Sequence, residues 1–110
     1  LSANTTYAGA IELLNETESP AENMTEEIEE EDDEHEFFFT STVTGLTISK
    51  TDVDGDGNPL GLETSLASGA AGSGSITIVL KHEPTKPNDG TSASAGGSTE
   101  LEVTFNVTVQ

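Results

Sequence analysis

The sequence predicts an all-β fold, an Ig-like β-sandwich or open barrel of about six to seven strands, with an acidic insert that holds a short helix. Three observations carry this. From Phe37 onward apolar and polar residues alternate, Gly-rich punctuation interrupts the alternation, and no long stretch keeps a helical period. A chain of 110 residues, 32% of them apolar, is expected to form one domain over 1–110 with a small core and no deep substrate chamber. Tyr7 and four Phe are its only aromatics, so Leu, Ile and Val must build most of that core. So thin a supply fits a sandwich lacking one or two N-terminal strands.

Tyr7 to Leu14 reads as the first strand. The segment 12–36 follows, with thirteen acidic residues between Glu12 and Glu36 and no base. Within it Ser19-Pro20-Ala21-Glu22 is a capping box with proline at the first helical position, and Met24 and Ile28 follow at i, i+4 spacing. Like-charged i, i+4 pairs such as Glu22 with Glu26 and Glu30 with Glu34 oppose a longer helix. One or two turns are therefore expected, then extended chain. Phe37 to Val43 and Leu46 to Lys50 read as strands with a break near Thr44 and Gly45. Leu60, Leu62, Thr64 and Leu66 share a period of two, as do Ile76, Ile78 and Leu80 within Ser75 to His82. Gly69 to Gly74 is expected to join these two strands as a hairpin loop. Pro84 to Ser98 reads as a long loop. The clearest strand is the last, with Leu101, Val103, Phe105, Val107 and Val109 on one face and Glu102, Thr104, Asn106 and Thr108 on the other.

Charge narrows the function. Twenty-one Asp and Glu stand against three Lys, and the formal charge of −18 repels phosphate backbones and anionic lipids. Nucleic acid is excluded as a partner. Without Cys there are no disulfides and no thiolate chemistry. No run of about 18 apolar residues exists to span a membrane. Leu1 follows no charged n-region or apolar h-region, which suggests a mature or truncated piece. Serine and threonine abound, yet none sits in a nucleophile elbow, and no Gly-rich loop has the strand-GxxxxGK-helix context of a phosphate cradle. The chain is expected not to be an enzyme. Asn4, Asn15, Asn23 and Asn106 each begin an N-x-Ser/Thr sequon, which matters only for a protein secreted through glycosylation machinery.

Two constellations point to cations. Asp52-Val53-Asp54-Gly55-Asp56-Gly57-Asn58-Pro59-Leu60-Gly61-Leu62-Glu63 meets the twelve-position template of a calcium loop. Asp52, Asp54, Asp56 and Asn58 supply oxygens, Gly57 the sharp turn and Glu63 a bidentate carboxylate. Pro59 at the usually hydrophobic eighth position and strand-like flanks argue against a helix-loop-helix hand, and a polar turn explains the same residues. The second constellation is His35 within Asp33-Glu34-His35-Glu36 and His82 within Lys81-His82-Glu83-Pro84. Were their strands antiparallel neighbours, both imidazoles would meet at one sheet end beside Glu34, Glu36 and Glu83, a donor set suited to Zn2+ or Cu2+. A solvated acidic face is the alternative.

The acidic run with Asn15-Glu16-Thr17-Glu18 and Phe37-Phe38-Phe39, then Asp54 to Leu62, Leu80 to Pro84, and Gly96 to Val109, resemble a family of small flavobacterial (Bacteroidota) envelope lipoproteins across nearly the whole chain. Members often carry the label of a type 1 periplasmic-binding fold, and their genes tend to lie beside one for a TonB-dependent receptor. The label implies alternating α and β elements, which the periodicity here does not support. The resemblance also implies a lipidated N-terminal cysteine, an acidic tether and further strands before Leu1.

These readings converge on a non-enzymatic, extracytoplasmic β-sandwich at the outer membrane or cell surface of a Gram-negative bacterium, or secreted, that binds divalent cations, with calcium stapling the Asp52 to Glu63 loop. One alternative is a metal- or solute-capture accessory of a TonB-dependent receptor. Another is a structural module of a surface fibre or adhesin, self-associating through an open sheet edge.

Overall fold

A computed structural model of the chain describes residues 1–15 and 22–110. Eight strands are present among the described residues: β1 Thr6–Ala10, β2 Leu14–Asn15, β3 Glu22–Asn23, β4 His35–Ser41, β5 Thr47–Lys50, β6 Glu63–Ala67, β7 Gly72–His82 and β8 Ser98–Val109. Two three-stranded antiparallel sheets, ordered β1-β6-β5 and β4-β7-β8, form a sandwich, and no barrel closes. The short pair β2-β3 flanks them.

The core lies where the sheets face each other. Phe37 is fully buried and packs with Ile28, Leu60, Leu62 and Leu80, and Ile11, Phe39, Ile78 and Leu101 border this cluster. Burying one such side chain contributes about 1.5–3 kcal/mol. Gly61 makes the approach possible: its φ is +105°, and a Cβ there would stand 2.8 Å from the Cβ of Phe37. The Phe37 N–H donates to the Leu60 carbonyl at 2.8 Å, which covers part of the edge of β4. An apolar cleft of about 430 Å³ remains between the sheets beside Phe105, whose exposure is 51%.

Helix α1, Met24–Glu30, has the expected length but starts later than expected: Glu22, the last residue of the capping box, lies in β3 and pairs with Asn15, so the box does not open the helix. Its like-charged glutamates oppose it, so tertiary contacts must hold it. Ile28 is buried in the core, the Met24 N–H donates to the Leu13 carbonyl at 2.8 Å, and the Leu13 N–H donates to Thr25 Oγ1 at 2.8 Å. Ser19, Pro20 and Ala21 of the expected capping box lie outside the described residues. A 3-10 turn at Asp32–Glu34 then leads into β4, which begins at His35 instead of Phe37.

Further boundaries differ from expectation. Strand β6 starts at Glu63, so Leu60 and Leu62 precede it. The first strand stops at Ala10, and Leu14 pairs instead with Asn23 of β3. The Gly69 to Gly74 stretch does not close a hairpin, because β6 and β7 belong to different sheets and the small residues carry the chain from one layer to the other. Alternation identified both strands but could not say which sheet each joins. The long loop after His82 contains one helical turn, α2 Ser92–Ala95, seated by buried Ala95. At the far end Leu1 and Ala3 run beside β8: the Leu1 ammonium donates to the Thr108 carbonyl at 2.9 Å and the Ala3 N–H to that of Gln110 at 3.1 Å. Among the described residues no helix is long and apolar enough to cross a membrane.

Candidate metal centre

Antiparallel pairing of β4 with β7 sets His35 directly opposite His82, and the same register sets Phe37 opposite Leu80. Period two therefore puts both imidazoles on the inner face of the sheet, one step beyond the core. The rings stack with centroids 5.0 Å apart and an interplanar angle of 29°. His35 is buried and His82 half-buried.

Helical residues cover this end of the sheet. Nδ1 of His35 lies 3.0 Å from the Glu31 backbone carbonyl. A carbonyl only accepts, so Nδ1 carries the proton, and in the neutral ring Nε2 keeps its lone pair facing the cluster. This is how a ligating histidine is commonly oriented. One ligand atom each from Glu31, His35 and His82 lie within 4.8 Å of one another, and among the described residues no other trio of His, Asp or Glu converges so closely. Glu34 approaches as expected, its Oε2 3.9 Å from Nε2 of His82.

Glu100 completes the cluster through a β-bulge. Leu80 pairs with Leu101 but Lys81 with Thr99, so Glu100 is the extra residue in β8. Strict alternation would turn Glu100 away from the face that half-buries Leu101; the bulge re-aims it. Its two oxygens lie 3.3 Å from Nε2 of His35 and 3.5 Å from Nδ1 of His82. A metal ion between the two ring nitrogens and this carboxylate would draw on all three as ligands. Beside it a groove of about 710 Å³ runs between α1 and the sheet, floored by Ile28, Leu80 and Leu101 and flanked by Glu27, Glu30 and Glu31.

The other expected ligands of this centre lie elsewhere. Glu36 follows His35 in the strand, so it points to the opposite face, where it is buried with Lys50 and Asn88. Grouping Glu36 with His35 overlooked that alternation. Glu83 lies past the end of β7, where the chain turns with φ +55°; its backbone N–H donates to the Glu34 carbonyl at 2.6 Å and its side chain is exposed.

The Asp52 to Glu63 loop makes different use of its oxygens. The Asp52 carboxylate accepts the backbone N–H groups of Gly61 at 2.8 Å and Leu62 at 3.0 Å. Oδ1 of Asp54 accepts those of Asp56 at 2.9 Å and Asn58 at 3.0 Å, while its Oδ2 meets Nζ of Lys86 at 2.7 Å. Lys86 also donates to the Asp32 carbonyl at 3.0 Å, and both ends of the pair are buried. Burial pushes the Asp54 carboxyl up, but Lys86 and the two amides outweigh it and hold it below 3.8. Asp56 and Glu63 are exposed. A lysine from the distant 83–97 loop thus supplies the positive charge that a calcium ion would bring.

Two residues of the centre escaped the sequence, Glu31 and Glu100. A helical turn reaching Glu31 would have put it one turn before His35. For Glu100 the only signal is a slip in the apolar alternation just after Gly96-Gly97. No protein-family model, curated protein or solved structure matches this chain, so the reading of the centre rests on its own geometry.

Proposed function

We propose that the protein is a non-enzymatic β-sandwich module that binds one transition-metal dication, Zn2+ or Cu2+, at His35, His82 and Glu31, with Glu100 and Glu34 as the adjacent carboxylates. The supporting observation is the convergence of two cross-strand imidazoles and a carboxylate within 4.8 Å of one another. Imidazole nitrogen suits Zn2+ and Cu2+ and is ignored by the harder Ca2+. Two nitrogens and one or two carboxylates make a three- or four-ligand set, which leaves room to take up and release an ion. No general base is paired with a nucleophile there, so the arrangement favours capture over catalysis. The envelope setting and the hand-over of metal to an outer-membrane receptor extend this reading and are supported by the sequence resemblance alone.

The test is calorimetric titration with zinc, then copper, of the wild type beside a His35→Ala, His82→Ala variant near neutral pH. One stoichiometric site in the wild type, lost in the variant, is expected. Weak binding of several equivalents that the variant retains would overturn the proposal, leaving the acidic surface as a diffuse counter-ion cloud.

A further inference from the structure

The opposite face of β4 holds a second cluster that the metal reading does not use. Glu36 is 3% exposed, and its two carboxylate oxygens serve two different side chains. Oε2 accepts from Nζ of Lys50, at the end of β5, and Oε1 accepts from Nδ2 of Asn88 at 2.9 Å. The amine and the carboxamide are thereby held on one bridging carboxyl group.

Each reacting atom has a further partner. Nδ2 of Asn88 also donates to the Thr85 carbonyl at 2.8 Å, and Oδ1 accepts the Gly90 N–H at 2.9 Å. These contacts orient the amide and place a backbone donor on its carbonyl oxygen, where negative charge would develop on nucleophilic attack. Nζ of Lys50 sits 4.2 Å from the centroid of the Phe38 ring, with 14% of the side chain exposed. Burial pushes the lysine pKa below 10.5, although Glu36 pulls it up. A lysine with a depressed pKa is an available nucleophile. A small cleft of about 300 Å³ bordered by Phe39, Ile48 and Pro59 opens at the cluster and gives a leaving molecule a way out.

We propose that Lys50 and Asn88 join in an intramolecular isopeptide bond, with Glu36 as the catalytic residue. The Glu36 carboxylate takes a proton from the Lys50 ammonium, and the freed Nζ lone pair attacks Cγ of Asn88. The new C–N bond forms as the carbonyl pair moves onto Oδ1, held by the Gly90 N–H. Glu36 gives its proton to Nδ2 and receives one from the attacking nitrogen. The Cγ–Nδ2 bond then breaks, the carbonyl re-forms and ammonia leaves, carrying away the proton from Glu36 as ammonium. Lysine ammonium and asparagine become a secondary amide and an ammonium ion, Glu36 ends as it began, and nothing is oxidised or reduced. The bond ties β5 of one sheet to the 83–97 loop beside β4 of the other. It is independent of the metal centre.

The test is the intact mass of the full, folded chain. The wild type is expected about 17 Da below its sequence mass, the mass of one ammonia, with a proteolytic fragment in which Lys50 and Asn88 are linked. Lys50→Arg keeps a cation beside Glu36 but removes the nucleophile and should show the full sequence mass. Glu36→Gln, which cannot shuttle the proton, should do the same. A wild type that keeps its sequence mass after prolonged incubation at mildly alkaline pH overturns the proposal even should both variants fail to fold. A 17 Da loss that persists in Lys50→Arg also overturns it, since asparagine then cyclises on its own backbone.

Discussion

His35 and Glu36 are neighbours in β4 and enter opposite clusters, and the two clusters handle negative charge differently. On the Glu36 side each buried carboxylate meets a lysine: Glu36 has Lys50, and Asp54, a few residues beyond the end of β5, has Lys86. On the His35 side Glu31, Glu34 and Glu100 surround two imidazoles and no lysine. With only three lysines against 21 acidic residues, two already meet buried carboxylates on the Glu36 side. On that first side every buried carboxylate already has side-chain partners, so an added cation gains little there. The second has titratable nitrogens and surplus carboxylate, the condition under which an external ion is stabilising.

Removing one partner on the lysine-paired side should give the largest effect. Lys86→Ala leaves the Asp54 carboxylate buried and unpaired, and chemical denaturation should show a loss of about 3–5 kcal/mol. Replacing both partners, Asp54→Asn with Lys86→Met, should recover much of it, because neither buried group is then an orphan charge. A loss under about 1 kcal/mol for Lys86→Ala would mean that the pair behaves as a surface ion pair, and the contrast between the two sides would fail.

Metal addition should act on the other side. Zinc at a hundredfold excess over its dissociation constant should stabilise the wild type by about 2.7 kcal/mol, read by thermal denaturation, and leave a His35→Ala, His82→Ala variant unmoved. Calcium should do less, because Asp52 and Asp54 are already engaged by backbone amides and Lys86. A calcium response equal to that of zinc would restore the Asp52 to Glu63 loop as a cation site.

Most strands were legible in the sequence, since Ile76, Ile78 and Leu80, or Leu101 through Val109, repeat with the pleat. The meeting of His35 with His82 was legible only as a condition, that their strands pair antiparallel in register. What stayed hidden was non-local. Nothing around Asp54 announces that Lys86, 32 residues on, will reach it. The Asp-rich loop has the composition of a calcium site because the same short side chains and glycines close tight turns on backbone amides. Glu100 was hidden for a different reason, since a bulge shifts a side chain from one face to the other without changing composition.

That bulge makes the next test specific. Glu100→Gln removes the charge beside both rings but keeps the shape, and zinc affinity should fall by about 10–100-fold. Glu102→Gln, two residues along the same strand and exposed, is the control and should change nothing. Equal losses in the two variants would show that only overall charge matters and that the re-aimed carboxylate has no particular role.

The smallest expected effect is the acid dependence of the lysine-paired side. The folded-state pKa of Asp54 lies below 3.8, so under acid conditions the unfolded chain binds more protons at this group than the folded one. The stabilisation from Asp54 is therefore complete above 3.8 and disappears as pH falls through the folded value. General repulsion complicates the raw curve, because protonating any of the other carboxylates relieves a charge of −18. The Asp54→Asn, Lys86→Met variant removes one charge of each sign, so its net charge at neutral pH equals that of the wild type and the general term cancels in the difference. The stability of the wild type minus that of the variant should hold steady down to about pH 4 and fall below it. A difference that stays flat to about pH 2 would show that Asp54 titrates alike folded and unfolded, and that Lys86 does not hold its charge.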